Sequence, residues 1–489
     1  MKESLILLSV VLYFILIWIV ARIGGRKSSD NESFFTAGKK SPWWLVAVGM
    51  IGSSISGVSF VSVPGMVGGI QFTYLQTVLG FFVGYLFIAY VLLPVYYKLN
   101  LTSIYSYLDE RFGKNSHKTG AWIFIISKST GAAARLYIVA IILQNMIFDS
   151  FNIPFIFTVL FILVIIWLYS FQSGIKSILW TDFLQAIILV VALLLMTIQM
   201  VSTVDTSETA FWKQWYDSDL TRIFVWDDWI SKQHFVKQFV SGILIAIVMT
   251  GLDQDMMQKN LTCKTLPDAQ KNMRWYGLAF IPVNFMFLLL GFAVLQFATS
   301  NQIALPEKAD QILPFMANNH FSIYLLLLFV IGIAAAALSS ADSALASLTT
   351  SFYVDILGKP NHSEKRAKRT RMFVHAAFTL FFILIIYVFR LVNNTSVIDA
   401  IYIMASYSYG PLLGLFAAGL FTKIKPADKH IPWIAVFAPL FCFVTDYLLK
   451  TYAGYALGYE LLLLNGLVTF IALFISSLYD NKNSRVRHQ

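Results

Sequence analysis

Runs of about twenty apolar residues, separated by short polar breaks, recur along the whole chain. A bilayer core about 30 Å thick needs roughly twenty helical residues to cross it. On that measure thirteen membrane-spanning helices are predicted, at 4–22, 42–68, 75–97, 119–148, 154–171, 177–202, 235–257, 275–298, 320–356, 372–391, 397–421, 432–449 and 457–479. The second segment is not uniformly apolar. Gly49, Gly52, Ser53, Ser54, Ser56, Gly57, Ser59, Ser62, Pro64 and Gly65 stud it, which predicts a helix interrupted near mid-membrane, and Thr250-Gly251 gives the seventh segment a weaker counterpart. Counted from the second segment, these two open successive groups of five, as in transporters built from two repeated halves. The small residues of the second segment also suit close helix packing, a reading compatible with the interruption.

The ninth segment holds the most informative stretch. Ala336, Ser339, Ser340 and Ser343 fall at i, i+3, i+4 and i+7 and share one helix stripe, with Asp342 beside them. An ionisable group at membrane depth costs at least ~2.5 kcal/mol, so something polar is expected alongside. Hydroxyls and a loosened backbone carbonyl make an oxygen-only set suited to a small hard cation. The alternative for any single serine is a hydroxyl that bonds back to its own helix or eases helix approach.

The polar breaks alternate in charge. Those following odd-numbered segments hold 26 of the 36 lysines and arginines, among them Arg22, Arg26, Lys27, Lys259, Lys264 and Lys359. By the positive-inside rule these breaks are cytoplasmic, so the N-terminus is expected outside and the C-terminus inside a cell (inner) membrane. Lys128 and Arg135 instead lie within the fourth segment, two turns apart on one face. A guanidinium grips a carboxylate through two parallel hydrogen bonds, which makes Arg135 the candidate handle for a solute. A structural ion pair with Asp182 or Asp342 is the alternative for both cations. Two longer external breaks, 203–234 and 299–319, are read as gating elements or as plain connections; the first carries Trp212, Trp215, Trp226 and Trp229.

Hydrophobic residues make up 58% of the chain and charged ones 13%, a composition for lipid rather than for a soluble core. The net charge of +10 sits in the cytoplasmic breaks and does not suggest nucleic acid. Two cysteines, Cys263 and Cys442, give no disulfide framework. The first segment lacks a small-residue cleavage site before its basic run and reads as a helix, not a signal peptide. A Gly-x-x-x-x-Gly-Lys-Ser/Thr loop, a His-Glu-x-x-His pair and a Gly-x-Ser-x-Gly elbow are all missing, so the sequence points away from an enzyme. Transporter, channel and receptor remain.

Five motifs fall in register. They are the interrupted second segment through Gly65; Leu101-Thr102-Ser103-Ile104-Tyr105-Ser106-Tyr107-Leu108-Asp109-Glu110-Arg111-Phe112-Gly113; Gly174-Ile175-Lys176-Ser177-Ile178-Leu179-Trp180-Thr181-Asp182-Phe183-Leu184-Gln185; Thr250-Gly251-Leu252-Asp253-Gln254-Asp255-Met256-Met257-Gln258-Lys259; and the Ser339-Ser340 helix. Together they resemble, over essentially the whole chain, the sodium:solute symporter family of proline, sugar, sialate, pantothenate and iodide carriers. The resemblance implies an all-α polytopic membrane protein of the leucine-transporter fold, with a 5+5 inverted-repeat core in the second to eleventh helices. It implies alternating access and uptake driven by co-transported sodium. The layout it implies is one transport domain over 1–489, with an extra helix and loop at 1–41, repeats at 42–202 and 235–421, and two further helices with a tail at 432–489.

The resemblance also assigns residues. The common sodium site of the family, built from backbone carbonyls of the second helix and a carbonyl plus two hydroxyls of the ninth, falls on Gly52, Ile55, Ala336, Ser339 and Ser340. A second sodium site, found in sialic acid symporters, falls on Asp182, Ser339, Asp342 and Ser343. Asp342 replaces the serine expected there; its carboxylate would tighten cation binding, admit a proton, or pair with Lys128 or Arg135. Arg135 matches the carboxylate-binding arginine of sialate carriers. Ser54, Ser56 and Ser59 match their hydroxyl contacts, the seventh helix offers Thr250, and Tyr74 and Gln76 are expected to close the pocket from the third. The acidic and amide groups that sugar carriers use on the second helix are Val58 and Ser59 here. The expectation is a sodium-coupled symporter of a small carboxylate-bearing solute, such as sialic acid or another organic acid, working in a lipid bilayer. A sodium-coupled sugar or polyol symporter is the alternative substrate reading, and a channel or a transporter-like sensor the alternative class.

Overall fold

The computed structural model describes residues 2–25, 31–170, 174–204, 208–358, 363–392 and 397–487. The basic positions Arg26, Lys27 and Lys359 lie outside them. Each predicted span corresponds to a helix or a bent helix pair. In chain order these are α1 (Lys2–Gly25), α2a (Trp43–Ser54) with α2b (Gly57–Gly65), α3 (Tyr74–Lys98), α4 (Lys114–Phe151), α5 (Phe155–Ser170), α6 (Gly174–Val204), α7a (Phe235–Gly251) with α7b (Gln254–Asn260), α8 (Leu266–Ser300), α9 (Ile323–Ile356), α10 (Glu364–Val392), α11 (Val397–Phe421), α12 (Asp428–Tyr452) and α13 (Leu461–Arg487). Ten are long and apolar enough to cross a bilayer, α2 and α7 are bent pairs, and α5 is a shorter apolar helix. Helices α8 and α10 begin well before their apolar windows, because their charged first turns are helical too; hydropathy registers only the part suited to lipid.

Both interruptions are built from capping residues. Helix α2a ends where Ile55 and Ser56 become extended (φ/ψ −82°/97° and −85°/167°), and Ser56 Oγ caps α2b by accepting the Ser59 N–H at 3.3 Å. The two halves meet at 61°. In α7 the break falls at Leu252 and Asp253, and the Asp253 carboxylate caps α7b by accepting the N–H groups of Asp255 (2.9 Å) and Met256 (3.3 Å) across a bend of 70°. Serine and aspartate suit such positions because their side-chain oxygens satisfy the first amides of the new helix. Each break also leaves the last carbonyls of the preceding half without intrahelical partners in the middle of a span.

Close packing fixes these breaks in place. Helix α9 is buried from Gly332 through Ser351 and packs against α6, α4, α2 and α7b. A Cβ on Gly52 would stand 3.0 Å from the Asp182 carbonyl oxygen of α6, so the small residues of α2a serve packing as well as the interruption. Gly80 of α3 and Gly242 of α7a bring two backbones together: a Cβ on the first would lie 2.2 Å from the Phe239 carbonyl oxygen, and one on the second 2.3 Å from that of Thr77.

The long loops are structured. The 299–319 loop forms the helix Ala309–Asn319, which docks on α2b. Ser62 Oγ donates to Asp310 Oδ1 there, and a Cβ on Gly65 would lie 2.0 Å from the Ala309 carbonyl oxygen. The 203–234 loop contains the helix Glu208–Asp217 and exposes Trp212, Trp226 and Trp229. At the opposite end of α2, the Ser41 N–H donates to the Thr262 carbonyl at 3.0 Å, joining the entry to α2a to the turn after α7b.

Candidate functional site

The breaks of α2 and α7 open onto a cavity closed by α4, α8 and α11. Ser54, Ser56 and Ser59 line it from α2, Thr250 and Asp253 from α7, and Lys128 and Arg135 from α4, while Tyr85, Tyr276, Tyr402 and Tyr409 bring aromatic walls with hydroxyl tips. Ser54 Oγ and Tyr276 OH share a hydrogen bond of 2.6 Å, and Tyr276 OH donates to Tyr85 OH at 3.0 Å. The two cations of α4 differ sharply. Lys128 Nζ stands 2.7 Å from Asp255 Oδ2 and 3.2 and 3.3 Å from the two oxygens of Asp253, whose Oδ2 also accepts from Tyr409 OH at 2.8 Å. Its partners are therefore the α7 carboxylates, not Asp182 or Asp342, because the break in α7 turns its acidic residues toward α4. Half-buried Arg135 borders the cavity and makes no hydrogen bond or ion pair with a described residue.

Adjoining this cavity at Ser53, which lines it, a second polar cluster joins α2a, α6 and α9. Ser339 Oγ donates to Asp182 Oδ1 at 2.6 Å, and Ser53 Oγ and Ser343 Oγ lie 3.0 and 3.2 Å from Asp182 Oδ2. Asp342 Oδ1 accepts the Ser343 N–H at 2.6 Å. Lys259 of α7b enters this cluster. Its ammonium lies 2.8 Å from Asp182 Oδ2 and 2.7 Å from Ser343 Oγ, donates to Ser53 Oγ, and faces Asp255 Oδ1 at 3.7 Å. Lys259 is 0% exposed, and a cation taken so completely from water is retained only when paired and hydrogen-bonded.

Among the residues assigned to the common sodium site, Ser340 Oγ donates to the carbonyls of Ala336 (3.0 Å) and Ala337 (3.1 Å), which sets its hydroxyl beside the Ala336 carbonyl. Ser339 is engaged by Asp182. Gly52 and Ile55 stand at the open end of α2a, which packs against α9. The structure thus brings Asp182, Ser339, Asp342 and Ser343 together, and places Lys259 among them.

Two expected pocket residues lie elsewhere. Gln76 Nε2 donates to the carbonyls of Thr73 (3.2 Å) and Gln233 (2.9 Å) and its Oε1 accepts the Val225 N–H at 3.2 Å, so it anchors the 203–234 loop instead of lining the cavity. Tyr74 OH meets Tyr402 OH at 3.1 Å and stands behind that cavity residue. Conversely, sequence reasoning misses Ser53, Asp253, Asp255 and Lys259. The charge pattern groups Lys259 with the basic loop, but α7b runs to Asn260 and buries it. A signal was present: Asp255 lies one helical turn before Lys259, with Met256-Met257 between them.

Two helices opened at mid-span around a polar cavity, with a charged oxygen cluster adjoining it, define a secondary transporter of the broken-helix class. The sequence model of the sodium:solute symporter family matches residues 34–425, and the chain belongs to that family. It is a multi-pass membrane protein that moves a small-molecule solute together with sodium, and it is not an enzyme. The chain is 25% identical to the sodium/sialic acid symporter NanT of Aliivibrio fischeri, over 83% of this chain and 81% of that protein, and 25% identical to SiaT of Proteus mirabilis, over 84% and 83%. The sodium/glucose cotransporter of Vibrio parahaemolyticus is 24% identical over 73% of this chain and 69% of its own. A solved sodium-coupled sialic acid symporter in a substrate-bound outward-open state shares the fold, with a TM-score of 0.84 over 98% of both chains at 19% identity. Mhp1, a nucleobase-cation-symport-1 family transporter, is a more distant match to the leucine-transporter fold, with a TM-score of 0.56 over 92% of this chain and 95% of its own at 12% identity.

Proposed function

We propose that this symporter imports a small carboxylate-bearing solute by alternating access across the cell (inner) membrane, with its N-terminus outside and its C-terminus cytoplasmic. Sodium binds between α2 and α9, at Gly52, Ile55, Ala336, Ser339 and Ser340. The observation that carries the substrate class is the contrast on α4: Lys128 is satisfied by two carboxylates, while Arg135 borders the same cavity with no hydrogen-bonding or ion-pair partner among the described residues. A guanidinium at that depth gains most from a bidentate anion. Ser54, Ser56, Ser59 and Thr250 supply neutral hydroxyls for the rest of the solute. The likeness to the two sialic acid symporters supports an organic acid of that kind.

The test is uptake of labelled solutes into proteoliposomes with and without an inward sodium gradient, comparing carboxylic acids, their amides, and neutral sugars and polyols. Sodium-driven uptake of an acid in preference to its amide is expected. Sodium-driven uptake confined to sugars or polyols would overturn the carboxylate reading and leave the symporter class standing.

A further inference from the structure

Two of the four residues that the family resemblance offers to a second sodium ion, Asp182 and Ser343, hold a positive charge supplied by the chain. An ammonium has three N–H donors, and Lys259 has three oxygen partners within hydrogen-bonding distance, Asp182 of α6, Ser343 of α9 and Ser53 of α2a. Its valence is met, and each partner comes from a different helix. A sodium ion seated on Asp182 and Ser343 would compete with the ammonium for Asp182 Oδ2 and Ser343 Oγ and would bring a second unit charge close to the first, where like charges repel most strongly. The lysine thus fills the Asp182 Oδ2 and Ser343 side of the cradle, while Asp182 Oδ1 is taken by Ser339.

We propose that Lys259 is a tethered cation that stands in for a second sodium, so that the chain binds a single sodium ion, between α2 and α9. The charge that would otherwise enter and leave with each cycle stays attached to α7b. Because α7b begins at Asp253, on the wall of the solute cavity, this resident charge is carried by the same short helix that carries the cavity's acidic cap. The inference rests on sodium coupling and is independent of the solute's class.

Equilibrium binding of radioactive sodium to the full chain in lipid nanodiscs, without solute, reads the ion count directly. One ion per chain is expected, with its affinity falling about tenfold in Ser340→Ala, the loss of roughly one oxygen ligand's 1.4 kcal/mol. Lys259→Met keeps the apolar stem and removes the ammonium, and should raise the count to two. Two ions in the parent protein would overturn the proposal, as would a count of one in folded Lys259→Met. A single parent ion that survives Ser340→Ala and disappears in Asp182→Asn would also overturn it, since sodium would then be using the lysine's cradle. The parent count and the Ser340 and Asp182 comparison decide the matter even where Lys259→Met does not fold.

Discussion

Lys128 Nζ and Asp255 Oδ2 stand 2.7 Å apart, and the other oxygen of Asp255 faces Lys259 across 3.7 Å. One carboxylate thus touches a cation on the solute cavity and a cation in the cluster adjoining it. If solute displaces Lys128, the expected effect on the Asp182, Ser339 and Ser343 cluster runs through this single buried side chain, and any effect of sodium on solute must be returned in equal measure.

Asp255→Asn removes the charge that joins the two cations while nearly keeping its shape. Coupling between linked sites is typically 5- to 150-fold, and in this variant the sodium-dependent gain in solute affinity should shrink toward unity. Thermal-shift titrations of sodium with and without solute measure it. Undiminished coupling in a folded variant would make Asp255 a purely structural partner of Lys128.

Ser340→Ala and Ser339→Ala each delete one hydroxyl from the proposed α2/α9 sodium site. Half-saturation for sodium should rise on the order of five- to tenfold, as for the loss of about 1 kcal/mol of polar interaction. Ser347→Ala supplies the comparison, since Ser347 Oγ likewise donates within its own helix, to the Ala344 carbonyl at 3.0 Å. Equal sodium dependence in all three variants would remove Ser339 and Ser340 from the site.

Arg135→Gln should abolish the preference for an acid over its amide. Losing one partner of a buried charged hydrogen bond costs about 2–4 kcal/mol, roughly 30- to 1,000-fold in affinity. Arg135→Lys keeps the charge but not the planar fork and should fall between the two. Binding of the transported solute and its amide to both variants makes the comparison, with melting temperature as the check on packing.

Gly65→Ala would drive a methyl group into the Ala309 carbonyl, so the helix Ala309–Asn319 must lift from α2b. Overpacking of this kind costs about 1–3 kcal/mol. Faster proteolysis in the 301–309 stretch and a lower melting temperature are expected. A variant as protease-resistant as the parent would show that this helix is not seated on α2b.

Burial pushes the Cys263 thiol up to about 12, beside the Ser41–Thr262 backbone bond. At pH 8 its thiolate fraction is then on the order of 10⁻⁴, so alkylation by iodoacetamide should be slow and should quicken about tenfold between pH 8 and pH 9. Rapid labelling at pH 7 would mean that the turn after α7b opens to water.

The apolar rhythm of the sequence makes the spans legible because each must match one bilayer thickness, and the glycines and serines of the second segment and Thr250-Gly251 of the seventh mark the breaks, whereas the cap at Asp253 shows only in the fold. Arg135 stands out for a similar reason: an arginine inside an apolar span has few structural excuses. Lys259 does not stand out by charge, because it heads a run of basic positions that continues with Lys264, Lys271 and Arg274. Only the fold brings Asp182, seventy-seven positions earlier, and Ser343, eighty-four positions later, to its ammonium. Gln76 misleads in the opposite sense, since a glutamine near the mouth of a pocket and one anchoring a long loop have the same local sequence. Pairing between distant segments, absent from any single window, separates those cases.

The contact of Gly80 with the α7a backbone has a mechanical consequence. With no side chain between them at Gly80 and Gly242, rolling or sliding of α3 past α7a would drive a residue into a peptide plane, so the two are expected to travel as one plank. That plank joins a helix from each half of the chain, and α7a carries Thr250 on its cavity end. Any stroke that exposes the cavity first to one side and then to the other must use other seams. A cross-link between α3 and α7a should therefore leave turnover intact.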